Sequence, residues 1–191
     1  MKTKPETHIM IDFETMGTDV RTCPIVEFAL VKFDINTGEI IDQDYQTGFS
    51  PGENLWHGRK MEKETYNWWL SRSKKYVKNF EENNRSTEGL LHIIESLSFY
   101  LNKNTVLWSF GATFDIQIAK FLLLNFNCDY PVNFRNERCL RTLVSLFPGY
   151  LDTFEYQGQK HNALDDCLNQ VRMCVDLNNR IKNALNFKQV I

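Results

Sequence analysis

Apolar positions along this chain change between a two-residue and a helical period, and the places where the period changes divide it into elements. Residues 8–17, His-Ile-Met-Ile-Asp-Phe-Glu-Thr-Met-Gly, begin as an apolar, β-favouring run that suits a buried strand. Thr18 to Pro24 reads as a loop, and Ile25 to Asp34 is the strongest strand candidate, long and β-rich. After the turn residues Asn36-Thr37-Gly38, Ile40 to Phe49 predicts a third strand. There Ile41, Tyr45 and Phe49 share one face while Asp42 and Asp44 share the other, as expected of an antiparallel strand near a sheet edge. Ser50-Pro51-Gly52 closes it.

Helical spacing follows. Tyr66, Trp69, Leu70, Val77 and Phe80 predict one or two amphipathic helices in a Trp-rich, charged segment. Asn83-Asn84-Arg85-Ser86 is a break, with Ser86 or Thr87 as N-cap of a helix carrying the stripe Leu90, Ile93, Ile94, Leu97 and Leu101. Thr105 to Phe110 is a short buried strand, and Gly111-Ala112 turns into a helix from about Thr113 to Asn125. A short strand is expected at Val132 to Phe134, then a helix on Leu140, Leu143, Val144 and Phe147, stopped by Pro148-Gly149. The last helix begins near Asn162 and turns Leu164, Leu168, Val171 and Val175 to the core. This order predicts an α/β fold, a mixed sheet whose antiparallel hairpins come first and parallel strands later, flanked by helices.

Composition narrows the picture. At 191 residues the chain is sized for one domain, with a core expected over about residues 7–180. Hydrophobic and aromatic contents of 42% and 13% exclude a disordered chain. No apolar run approaches the ~18 residues of a membrane span, and the polar start shows no signal peptide. The cysteines (Cys23, Cys128, Cys139, Cys167, Cys174) are odd in number and form no Cys-x-x-Cys pair. That pattern predicts a reducing compartment, the cytoplasm, without a disulfide framework or zinc knuckle. The net charge of −2 means that any nucleic-acid binding needs a local basic patch or bound metal ions.

The chemistry starts in the first strand. Side chains two apart on a strand share a face, with Cα atoms about 6.6–7 Å apart, so Asp12 and Glu14 project together, opposite Ile9, Ile11 and Phe13. At about 5 Å and an effective dielectric near 20, two like charges repel by roughly 3 kcal/mol. Such a pair requires a proton, a basic neighbour or a cation. Asp115 falls in the first turn of its helix, where the dipole favours a carboxylate. His161 precedes the last helix and Asp166 lies about one turn inside it. If the fourth strand lies beside the first, Asp115 emerges next to Asp12 and Glu14, and the last helix can bring Asp166 to the same point.

Asp-x-Glu-Thr at Asp12, Glu14 and Thr15, Gly-x-x-Phe-Asp ending at Asp115, and His-x-x-x-x-Asp at His161 and Asp166 resemble the DEDDh group of 3′–5′ exonucleases on the ribonuclease H-like fold. Ile-Asp-Phe-Glu-Thr-Met-Gly and the later Thr-Tyr-Asn-Trp-Trp resemble most the small phage and bacterial exonucleases typified by DexA of T-even phages. The resemblance runs from His8 to about Val175 and implies a metal-dependent 3′–5′ exonuclease releasing nucleoside 5′-monophosphates from single-stranded nucleic acid with a free 3′ end. It implies two divalent cations, Mg²⁺ or Mn²⁺, whose preference for hard oxygen ligands suits four carboxylates. Asp12 would bridge both ions, Glu14 and Asp166 would hold one, and Asp115 would act largely through a metal-bound water. His161 would serve as general base, swinging in from its loop when substrate binds.

Thr15, Met16 and Trp68 are the substrate-contact candidates. Met16 either packs against terminal bases or fills a core gap; Trp69 is assigned to the core and Trp68 left open to base stacking. Arg72, Lys74, Lys75 and Lys78, and also Arg138 and Arg141, are either phosphate contacts or solvated surface. Phe110 stands where related small exonucleases often carry a polar residue. A haloacid-dehalogenase-type phosphatase is disfavoured, because it requires Asp where this chain has Glu14. DNA is slightly favoured as substrate; the alternatives are an exoribonuclease of the same fold and a catalytically inactive nucleic-acid-binding adaptor. Oligomeric state is not legible.

Overall fold

A computed structural model describes residues 7–47, 49–82 and 89–187. Strand β1 (Thr7–Thr15) lies at the centre of a five-stranded sheet. It pairs antiparallel with β2 (Ile25–Phe33), which pairs antiparallel with the edge strand β3 (Ile40–Thr47). Next come α1 (Pro51–Trp56), α2 (Lys63–Arg72), α3 (Lys74–Glu81) and α4 (Gly89–Tyr100). Strand β4 (Thr105–Ser109) adds parallel to the other side of β1. After α5 (Asp115–Asn125), strand β5 (Glu137–Cys139) adds parallel to β4, giving the order β3-β2-β1-β4-β5. The chain then forms α6 (Leu140–Ser145), α7 (Tyr150–Thr153) and the long α8 (Ala163–Phe187).

Alternation along β1 explains the layers. Ile9, Ile11 and Phe13 face a core shared with α4 and α5, through Leu90, Ile93, Leu97, Ile116 and Leu122. Met10, between them, faces the opposite core with Ala29, Val31, Phe33 and α8. A third cluster, Met16, Val26, Trp69, Val77 and Phe80, fixes α2 and α3 against the end of the sheet.

Several expectations need correction. The strand predicted at Val132 to Phe134 is absent: Val132 is buried outside any strand, Phe134 opens a 3-10 turn, and the strand lies at Glu137–Cys139. Three half-buried residues offer no alternation to read. Ser50-Pro51 starts a helix instead of merely closing a strand: the Ser50 hydroxyl caps the Glu53 N–H at 3.0 Å with Pro51 in the first turn. Phe49 lies beyond the end of β3, in the core opposite to the one Tyr45 packs against. The predicted break and N-cap at 83–88 fall outside the described residues.

The buried stripe of α8 also differs. Ala163, Cys167, Val171, Cys174 and Leu177 face the sheet most deeply, while Leu164, Leu168 and Val175 flank it. Small residues let the helix approach closely: the Cys167 Sγ lies 3.8 Å from the Met10 carbonyl and 3.6 Å from that of Ala29. That rotation turns Asp166, Gln170 and Met173 toward the end of β1.

Candidate active site

Asp12, Glu14, Asp115, His161 and Asp166 line one cleft of about 470 Å³ at the end of β1. The parallel pairing of β1 with β4 stops at Met10 and Trp108. Beyond that point the Phe13 N–H, no longer met by β4, donates to the Asp115 carboxylate at 3.2 Å, which ties the start of α5 to the first strand. On the other side, β1 and β2 slip register just after the Glu14–Glu27 pair, with Val26 as the extra residue. Such bulges re-aim side chains beside active sites.

From α8, Gln170 donates to Asp12 Oδ1 at 2.7 Å. Asp166 accepts from the Tyr156 hydroxyl at 2.9 Å and from the His161 backbone N–H at 2.9 Å. His161 has a left-handed backbone, φ +61°, and its Nδ1 lies 4.0 Å from Glu14 Oε1. One ligand atom each from Glu14, His161 and Asp166 all fall within 4.8 Å of one another.

This concentration of acid is poorly compensated. Burial, then the charges of Asp115 and Asp166, raises the Asp12 carboxyl well above its usual range. Burial and Asp12 push Glu14 up to about 10. Burial lifts Asp115 to about 7, held back by its backbone partners and by Arg141. Asp166 is raised by burial as well. Arg141 is a cleft residue whose guanidinium lies over the Phe110 ring, 5.3 Å from its centroid. Phe110, where a polar residue was expected, is therefore backed by a cation. The carboxylate-rich donor set fits hard divalent cations, and the Gln170 Oε1, buried without a hydrogen-bond partner, adds an oxygen beside Asp12.

Two substrate-contact expectations do not match the geometry. Met16 is completely buried among Trp69, Val77 and Phe80, and offers no surface to a base. Thr15 is buried and its hydroxyl donates to the Gly17 carbonyl at 2.8 Å. Trp69 belongs to the core, its indole N–H bonded to the Thr15 carbonyl at 2.9 Å. Trp68 stays 39% exposed, edge-on to the ring of the cleft residue His161 at 5.0 Å, with Arg72 over its own ring at 5.0 Å. The loop before α8 is bound back onto the helix: Asn169 takes both the N–H and the carbonyl of Gln157, and Asp165 accepts from Gln159 N–H. His161 thus lies between this pinned loop and two tryptophans. Tyr156, Gln170 and Lys160 also line the cleft; Gln170, one helical turn after Asp166, was the most readable of these from spacing.

Sheet order and flanking helices give a ribonuclease H-like fold, with the acid cluster at the end of its central strand. Solved structures sharing the fold include the cell-death related nuclease CRN-4 (TM-score 0.61, 15% identity, 92% of this chain and 64% of that one). They also include the nuclease domain of 3′hExo, a DEDDh family member bound to rAMP (TM-score 0.57, 16% identity, 92% of both chains). A third is S. pombe Pop2p in its Mg²⁺- and Mn²⁺-bound form (TM-score 0.63, 15% identity, 92% of this chain and 84% of that one). The chain thus spans less than two thirds of CRN-4. A search of curated proteins finds no match. The chain belongs to the Rv2179c-like 3′–5′ exoribonuclease domain family, whose model matches residues 7–177.

Proposed function

We propose that this exonuclease removes nucleotides singly from the 3′ end of single-stranded RNA, releasing nucleoside 5′-monophosphates with two divalent cations, Mg²⁺ or Mn²⁺. The observation that carries this reading is the convergence of Asp12, Glu14, Asp115 and Asp166 with His161 in one cleft. RNA is placed ahead of the DNA expected from sequence because the family is described as exoribonucleases and one structural relative is bound to rAMP. The likeness to DexA-type enzymes rests on two short segments alone. A cleft of about 470 Å³ suits one splayed nucleotide better than a stacked base pair.

Asp12, Glu14, Asp115 and Asp166 would hold the cations, which when bound neutralise the acids and stabilise charge building on the phosphate. The protein's own groups supply the rest. His161 accepts the proton of the attacking water as its oxygen bonds to phosphorus; the bond to the 3′ oxygen of the penultimate nucleotide breaks, and that oxygen takes a proton from solvent. The edge-on contacts of Trp68 and Trp69 orient the ring, and the His161 N–H bond to Asp166 fixes its backbone. Arg141 and Lys160 offer positive charge to phosphates at the cleft. The free cysteines are what supports a reducing, cytoplasmic location in this reading. No helix among the described residues is long and apolar enough to cross a membrane.

Matched 5′-labelled single-stranded RNA and DNA oligomers, incubated with Mn²⁺ or Mg²⁺, test this. RNA is expected to shorten stepwise from the 3′ end, faster than DNA, and EDTA or Asp12→Ala stops it. Faster loss of DNA would overturn the RNA assignment. An intact RNA that still shifts on a gel would favour a binding protein.

A further inference from the structure

The geometry points to Glu27 as a positioning residue that sets where His161 and Asp166 stand, acting from β2 through Asn162 and the first turn of α8. This assignment rests on the nuclease reading above. Glu27 sits directly across from Glu14 and is only 7% exposed. A further buried carboxylate beside a cluster of acids adds repulsion. Its placement therefore needs a compensating role, and its hydrogen bonds show one.

Glu27 Oε2 accepts from the Ala163 backbone N–H at 3.0 Å and from Asn162 Nδ2 at 3.3 Å. The Tyr45 hydroxyl, from β3, donates to the same carboxylate and accepts from Asn162 Nδ2 at 2.7 Å. Asn162 in turn caps the helix, its Oδ1 accepting from Asp165 N–H at 3.1 Å. A cap from Asn162 alone would satisfy an N–H wherever the helix lay. An acceptor on the sheet fixes the helix start relative to β1 and β2.

From Asn162 the connection to the site is short. Its carbonyl accepts the Asp166 N–H at 2.9 Å. His161, the next residue back, donates its N–H to the Asp166 carboxylate at 2.9 Å. The left-handed backbone of His161, unfavourable for a residue with a Cβ, is held by this fastening on both sides. Glu27 is not among the residues that line the cleft; it acts through Asn162 and Ala163.

The test uses the full chain with Glu27→Ala, Glu27→Gln and Tyr45→Phe, reading kcat and KM on an RNA oligomer, Mn²⁺ affinity by calorimetry, and Tm. Glu27→Ala is expected to lower kcat about 10–100-fold and to weaken Mn²⁺ binding about tenfold, with KM changed less than about twofold. Glu27→Gln removes the same charge but keeps an acceptor for the Ala163 N–H, and is expected to recover most of both losses. A Glu27→Ala protein that loses only Tm, with kcat and Mn²⁺ affinity intact, would show a purely structural cap and overturn the assignment. So would Glu27→Gln as impaired as Glu27→Ala. If Glu27→Ala does not fold, Tyr45→Phe decides: a loss of kcat and Mn²⁺ affinity supports the coupling, and wild-type values overturn it. Wild-type protein inactive on every oligomer would instead sink the nuclease reading, while the Mn²⁺ affinities would still test the coupling.

Discussion

Asp12→Asn is expected to abolish nucleotide release and, in EDTA, to raise the melting temperature of the same protein. Asp12 lies where the repulsion from Asp115 and Asp166 is felt, in a buried setting that already disfavours its charge. Asparagine keeps the shape and an oxygen acceptor for the Gln170 amide, which now meets Asp12 Oδ1 at 2.7 Å, but brings no charge. Relief of about 1 kcal/mol or more corresponds to about 2–4 °C in a domain of this size. Activity is expected to fall about 10³-fold or more, the scale of removing a group that stabilises transition-state charge. Thermal melts in EDTA and single-turnover digestion check the two halves together. Loss of activity with a lower Tm in EDTA would mean that Asp12 is a structural acid, not one held at a cost for function.

The second large effect is on pH and metal. Metal-free protein is expected to lose stability as pH rises from about 5 to 8, by about 5 °C or more. The sign follows from carboxyls whose folded pKa is raised. Below about pH 4 they are protonated in both states and cost nothing. Above it the unfolded chain ionises freely while the folded cluster resists, until Asp115 yields near 7 and Glu14 near 10. Asp34 and Glu62 work in the opposite sense, because backbone N–H groups of Thr37 and Thr18 hold their carboxyls below the usual range. Their stabilisation is complete by about pH 5; above it the buried Glu53 and Glu27, whose carboxyls are also raised, act in the same sense as the cluster. Saturating Mn²⁺ at 100 times its Kd adds about 2.7 kcal/mol, or about 5–10 °C at pH 8, and much less at pH 5 where protons compete. Scanning calorimetry across this range, with and without Mn²⁺, measures both. A Tm that Mn²⁺ leaves unchanged at pH 8 would end the metal-site reading.

Much of the fold was legible because one-sided burial imposes periodicity. Ile9, Ile11 and Phe13 alternate with Met10 since β1 is covered on both faces by different cores. Leu90, Ile93, Ile94, Leu97 and Leu101 follow a helical stripe because α4 buries one side. Where burial is partial or the buried residues are small, the signal fails: β5 has three half-buried residues, and α8 turns Ala163, Cys167 and Cys174 inward in place of its leucines. Ser50-Pro51 carried a helix-start signature that was read as a strand ending because the two use the same residues.

By itself the sequence determined the local chemistry: which strand ends in paired acids, which helix opens with Asp115, and which stretch carries His161 and Asp166. Those features depend on neighbours in the chain. Tertiary structure alone decided that Met16 is core and not a base contact, that Gln170, Tyr156 and Arg141 join the cleft, and that His161 rests against Trp68. It also decided that Glu27 reaches across 136 positions to the start of α8. Such contacts depend on helix rotation and strand register, and a shift of one residue in either would send the same side chains elsewhere.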